Sequence, residues 1–236
     1  MSDADQRMPG SAAAALDRRL PRGRHDLPRE FVARTQRDRL IDAMARTVAE
    51  KGYASASPSE VCAAAGVSTR AFYEQFAGRE ACFLAAFDRG VQLLQASVAA
   101  AYARPGRWPQ RMRHGLSVLL HTLAAEPAFA TMAVVEVLAA GPAARSRRRS
   151  LLQAYRTFFA DAPHRPAVPP GVVDAVIAGV YGVIYELVAA GRTAELPDRL
   201  PDLTYLVVVP FLGPAAAARV AAGPVPAEWD GSERRD

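Results

Sequence analysis

The sequence predicts an all-α protein of about nine helices, on three observations. Apolar residues recur at three- and four-residue spacing through most of the chain, and glycine, proline and capping residues fall between the periodic stretches at helix-sized intervals. No stretch alternates in polarity long enough to make a convincing strand; Leu206 to Val209 has β-branched character but lies inside a helical pattern that outweighs it. The chain has 236 residues, half of them hydrophobic and 22% charged, which suffices for a substantial core without staples.

Residues 1–28 carry Ala12 to Ala15, scattered charges and no sustained period, and read as a mobile arm. From Phe31 to Lys51 the residues Leu40, Ile41, Met44, Ala45 and Val48 form one apolar face, and Gly52 ends the helix. Ser57-Pro58-Ser59-Glu60 joins an N-cap serine, a proline at the first helical position and a glutamate at the third, which is a capping box. The helix it opens runs to about Ala65, because Gly66 follows and Ser68 is itself an N-cap for a second short helix through Phe76. Two short helices joined by Gly66-Val67-Ser68 make a helix-turn-helix, whose second helix is the one that enters a major groove.

Beyond Gly78 a helix runs from Arg79 to about Tyr102 and is stopped by Arg104-Pro105-Gly106. Further helices are predicted at 108–125, 128–140, 144–161, 171–190 and 201–221, with Pro210 kinking the last, and residues 224–236 as a flexible tail. The basic run Arg145 to Arg149 reads as the start of a solvent-facing helix rather than a second nucleic-acid patch.

Composition excludes several function classes. Cys62 and Cys82 form no CxxC pair and have no nearby histidine, so neither a disulfide framework nor a zinc site is expected; both are predicted as small buried hydrophobes, and no metal or cofactor is expected. The first thirty residues lack a signal-peptide core, and the longest uncharged run, Leu203 to Ala218, is 16 residues and broken by Pro210, Gly213 and Pro214, so a cytoplasmic rather than a membrane protein is expected. There is no phosphate-cradling glycine loop, no GxSxG and no HExxH, which speaks against an enzyme. The net charge is +5, divided as +2 over residues 1–90 and +3 over 91–236, so neither half is a basic block. DNA would be held by placed residues, and 28 of the 29 basic residues are Arg, whose planar fork suits phosphate and guanine.

Gly52-Tyr53, Ser57, Val61, Ala65-Gly66-Val67-Ser68, Phe72-Tyr73, Phe76, Arg79-Glu80 and Phe83-Leu84, in that order over more than thirty positions, resemble the N-terminal signature of TetR-family transcriptional regulators. Glu126-Pro127-Ala128, Glu136 to Gly141 and Leu203-Thr204-Tyr205-Leu206 look like an actinobacterial-type, GC-rich subset of that family. The resemblance implies a three-helix helix-turn-helix head at 29–78 on a larger helical ligand-binding and dimerisation body at 79–223. It further implies a homodimer through helices 171–190 and 201–221 that binds a palindromic double-stranded DNA operator, acts as a repressor and is released by a small organic effector.

Carried over residue by residue, Ser68 caps the recognition helix, and Thr69, Arg70, Tyr73 and Gln75 face the groove. Arg70 is the candidate for pairing with guanine, Tyr73, Thr69 and Arg79 for positioning on phosphate, and Ala71 for meeting a thymine methyl. Ser57 and Ser59 are phosphate candidates at a helix N-terminus. Arg34, Arg37 and the arginines at 18, 19, 22 and 24 offer flanking contacts or a merely solvated face, and Glu74 accepts from a cytosine or faces solvent. Phe72, Phe76 and Phe83 are assigned to the core of the head. For the effector, the candidates are polar or aromatic side chains in apolar settings: His114, His121, Glu136, Tyr155, Phe158, Tyr181 and Tyr185, each more often a satisfied core or surface residue. The apolar lining suggests an uncharged or amphipathic effector. The competing readings are a DNA-silent helical adaptor and a small-molecule enzyme.

Overall fold

Capping chemistry places the helix boundaries. The computed structural model describes residues 7–11, 28–163 and 168–223, and among these the regular structure is entirely helical. The α-helices are α1 (Arg29–Lys51), α2 (Pro58–Ala65), α3 (Thr69–Gln75), α4 (Arg79–Tyr102), α5 (Trp108–Ala125), α6 (Pro127–Ala130), α7 (Pro142–Ala154), α8 (Pro170–Ala189), α9 (Leu200–Leu212) and α10 (Pro214–Ala221). The described residues thus hold ten α-helices where about nine were expected, because the stretch 201–221 divides. Pro210 sits within α9, but the break comes at Gly213, whose φ of 75° leaves the helix and hands the chain to Pro214 at the first position of α10. The stretch expected as one helix over 128–140 is α6 followed by a π-helical turn at Thr131–Val135 and a 3₁₀ turn at Glu136–Leu138. Likewise α7 tightens into a 3₁₀ turn over Tyr155–Phe159.

The chain divides into two compact units. The first comprises Met1–Leu93, Glu126–Leu151 and Val188–Gly191, and the second comprises Leu94–Ala125, Leu152–Leu187 and Arg192–Asp236. In the first, α1 packs on α2, α3, α6 and the π turn. The face read from the sequence is the buried one: Leu40, Met44 and Val48 are fully buried with Phe72, Phe83, Phe87 and Phe129. Tyr53 meets the edge of Phe83 at 5.1 Å between centroids, and Asp38 pairs with Arg89 at 2.6 Å on largely buried side chains. Gly90 makes room for the Phe129 ring of α6 against α4, since a Cβ there would overlap Cε2 of Phe129.

Part of the expected arm is packed. Met8, Pro9 and Gly10 are buried, and a Cβ on Gly10 (φ 84°) would lie 3.0 Å from Ala45 Cβ and 3.1 Å from Ala128 Cβ. An apolar side chain followed by a residue without one lets this turn lie against α1 and α6, which a disorder-like composition over the whole of 1–28 concealed. The arginines at 18, 19, 22 and 24 and the tail at 224–236 lie outside the described residues. Arg145, Arg147 and Arg149 are exposed, as expected; Arg145 donates to the Leu138 carbonyl and Arg147 pairs with Asp88.

In the second unit α5 packs on α9 and α10. Its core gathers Trp108, Phe159 and Phe211, with Trp108 and Phe211 edge to face at 5.1 Å. The Phe158 carbonyl accepts from both Trp108 Nε1 (2.8 Å) and Tyr102 Oη (3.0 Å). Along α8, Gly179 lets Leu206 of α9 come within 3.2 Å of where a Cβ would sit. Residues Gly171–Ala189 form the one described helix long and apolar enough to span a membrane by composition, with about a third of that stretch buried. Uncharged-run length missed it because Asp174 and Glu186 interrupt the run.

Candidate nucleic-acid interface

The head builds its turn from two caps. Ser57 Oγ accepts from the Glu60 N–H at 3.3 Å while Glu60 Oε2 accepts from the Ser57 N–H at 2.9 Å, the reciprocal pair expected of the capping box. Lys51 Nζ closes the other carboxylate oxygen at 2.6 Å. The hydrogen bonds from Lys51 and Ser57 pull the Glu60 carboxyl down to about 2. Helix α2 ends at Gly66, whose φ of 60° and ψ of 40° are left-handed, and the Val67 N–H returns to the Cys62 carbonyl at 3.0 Å. Ser68 Oγ then accepts from the Ala71 N–H at 3.2 Å and starts α3. With Ser57 Oγ engaged by Glu60, the exposed Ser59 is the freer hydroxyl at this helix start.

Helix α3 has two distinct faces. Ala71 and Phe72 are buried, whereas Thr69, Arg70, Tyr73 and Glu74 are exposed and Gln75 is half-buried. The assignment of Ala71 to a thymine methyl is therefore corrected: it shares the inward face with Phe72 and packs in the head. Tyr73 stands 57% exposed, an unusual placement for a large aromatic, with its ring edge-on to Phe72 at 5.3 Å. Arg70 Nε donates to Glu74 Oε1 at 3.0 Å, one helical turn on. Glu74 thereby orients Arg70 through Nε and leaves the two terminal guanidinium nitrogens for another partner.

Three arginines brace this arrangement; the sequence left Arg37 as a flanking contact or a solvated face and placed Arg79 on phosphate, and it marked none of the three as a brace. Arg37 Nη1 donates to the Gln75 carbonyl at 3.1 Å and lies 4.4 Å over the Phe76 ring, holding the end of α3 onto α1. Arg39 Nη2 reaches the Gly66 carbonyl at 3.4 Å. Arg79 Nη1 donates to the Tyr53 and Ala54 carbonyls at 3.1 and 3.0 Å and stacks 4.4 Å over the Tyr53 ring. This ties Arg79 Nη1 to the turn after α1. Cys62 and Cys82 are buried, and burial pushes the Cys82 thiol up to about 12, so it stays protonated.

The effector candidates do not converge. Glu136 is corrected from a pocket residue to a brace: its Oε2 accepts from the backbone N–H of Tyr53 at 2.7 Å, in the turn that Arg79 also holds. A carboxylate among valines finds its partner in the head's main chain, across 83 residues of sequence, which periodicity cannot reveal. His121 is satisfied locally by the Ser117 carbonyl at 2.8 Å from Nδ1. The Tyr155 and Phe158 rings meet tilted by 37° at 6.0 Å between centroids, and burial pushes the Tyr155 hydroxyl up. Tyr181 and Tyr185 stack at 6.3 Å along α8. His114 stands apart from these, in the wall of a cleft. No group of three or more His, Cys, Asp or Glu able to hold a metal occurs among the described residues.

Residues 40–86 match the family model of the bacterial regulatory proteins of the tetR family, and the head is a helix-turn-helix domain of that family. No curated protein matches the chain by sequence. Among solved structures, the fatty acid degradation regulator FadR of Bacillus halodurans shares the fold at a TM-score of 0.60 and 17% identity, covering 73% of this chain and 94% of its own. FadR of Bacillus subtilis, in complex with stearoyl-CoA, gives 0.60 and 17%, covering 72% and 96%. RolR in complex with resorcinol gives 0.54 and 17%, covering 84% and 98%. At these identities the likeness is one of fold.

Proposed function

We propose that this chain, a TetR-family regulator by its head, binds a palindromic DNA operator as a homodimer, represses transcription and is released by a small organic effector. The observation that carries DNA reading is the exposed face of α3, where Thr69, Arg70 and Tyr73 stand clear of the core that Ala71 and Phe72 enter. Folding alone gives no reason to leave a tyrosine outside beside an oriented arginine. In this reading Arg70 pairs with a guanine, Tyr73, Thr69 and Ser59 contact phosphates, and Ser68 positions the helix. Arg79 shapes the head and adds its charge from behind.

The dimer rests on α8. It is apolar over nearly its whole length, yet Ala175, Ala178 and Gly182 are exposed and Tyr181 and Tyr185 half-exposed, as is Tyr205 on α9. Pairing that face with a second copy, as a four-helix contact about a two-fold axis, removes it from water. Two heads then address successive major grooves about 34–36 Å apart, and an effector favouring another separation weakens operator binding by linkage. The ligands in the FadR and RolR complexes, stearoyl-CoA and resorcinol, support an organic effector. The domain assignment follows: residues 29–78 read DNA, and 79–223 carry effector binding and dimerisation, in the cytoplasm.

Arg70→Ala tests the reading. It removes only an exposed ion pair, about 0.3–0.5 kcal/mol, so dimerisation and melting stay nearly unchanged. Discrimination at one operator position should fall by about 1–3 kcal/mol. Equal affinity of wild type and variant for every sequence tested contradicts the assignment.

A further inference from the structure

We propose that a cleft in the second unit binds an amphipathic organic anion, an apolar molecule of drug size bearing one carboxylate. The cleft has a volume of about 930 Å³, which lies in the range of small-molecule sites. Its floor is apolar and rigid: Trp108 is 6% exposed and fixed through Nε1 to the Phe158 carbonyl, with Leu212 beside it. Its charge is one-sided. Arg107, Arg113 and Arg219 line it against a single acid, Asp161, which is already engaged by Arg111 at 3.3 Å.

The three arginines have different duties. Arg113 is buried and donates to the Ala221 and Gly223 carbonyls at 3.4 and 2.9 Å, so it anchors the end of α10. Arg107 and Arg219 are exposed, and among the described residues no hydrogen bond or ion pair engages either guanidinium. Two unengaged forks at the rim of an apolar cleft are complementary to a carboxylate on an apolar body. His114 also lines the cleft, with its Nδ1 turned away from solvent and so away from the space a ligand would fill. Burial, with the charges of Arg104 and Arg113, pushes His114 down, so its ring is neutral and adds no charge to the cleft.

The cleft would be the effector site of the regulator proposed above, and in that sense rests on that reading. Binding is measured without DNA, so failure of the cleft and failure of the regulator are separable. The chain has two tryptophans, and Trp229→Phe leaves Trp108 in the cleft wall as the sole indole emitter. The full-length variant is titrated with decanoate, decan-1-ol and decyltrimethylammonium while Trp108 emission is followed. Decanoate should give a saturable change, the alcohol should bind about tenfold or more weakly, and the cation should give no saturable change. Adding Arg107→Gln and Arg219→Gln should weaken decanoate by about tenfold or more while leaving circular dichroism and melting unchanged, since both side chains are exposed. Equal binding of acid and alcohol, indifference to the arginine substitutions, or no response to any probe overturns the proposal.

Discussion

Glu136 offers the sharpest test of how the head is held. Its carboxylate receives the Tyr53 N–H at 2.7 Å, at the short end for a charge-assisted bond, and Tyr53 is itself buried. Hydrogen bonds to charged groups contribute about 1.5–3 kcal/mol, and because this one is only part-buried the lower half of that range applies, about 1.5–2 kcal/mol. Glu136→Ala should remove it and leave a buried N–H without a partner. Glu136→Gln keeps a neutral acceptor at the same reach and should lose about 1 kcal/mol or less. Urea unfolding reads the global change, and amide hydrogen exchange at Tyr53 reads the local one, each 1.4 kcal/mol being about tenfold in exchange rate. The graded order wild type, glutamine, alanine is expected in both. Unaltered Tyr53 exchange in the alanine variant would refute the bracing role.

Gly90→Ala places a methyl in overlap with a Phe129 ring that is fully buried, so overpacking of about 1–3 kcal/mol should outweigh the roughly 1 kcal/mol gained in helix propensity; calorimetry showing a raised Tm contradicts this. Glu60 has its folded pKa depressed to about 2 against roughly 4.3 unfolded, so its contribution is present above the unfolded value and lost as pH falls from about 5 towards 2. Glu60→Gln should flatten the acid limb of the stability curve, measured by denaturant melts at each pH; an unchanged slope sinks the attribution to Glu60.

The helix-turn-helix was legible because its signals are local. A serine, a proline and a glutamate within four positions, a left-handed glycine and a second serine each act on backbone groups no more than a turn away, and all appear where expected. The buried face of α1 followed from periodicity alone. The boundaries at 131–138 and 155–159 were less legible, since a π or 3₁₀ turn changes hydrogen-bond register without changing which residues are apolar. Ala71 was misplaced because a seven-residue helix is too short to reveal its inward stripe. The long-range braces were invisible: Arg37, Arg79 and Glu136 act on main-chain groups 38, 25 or 26, and 83 residues away. The cleft unites the start of α5, the 161–163 loop and α10, which only the tertiary fold brings together.

The central claim is that this is a dimeric, sequence-reading DNA binder, and selection of random duplex DNA on the purified full-length protein tests it most directly. The account predicts enrichment of a palindrome whose half-sites lie about one helical turn or a small multiple apart, with affinity falling steeply as salt rises. Recovery of no common site, with binding uniformly weak across sequences and salt concentrations, would contradict it.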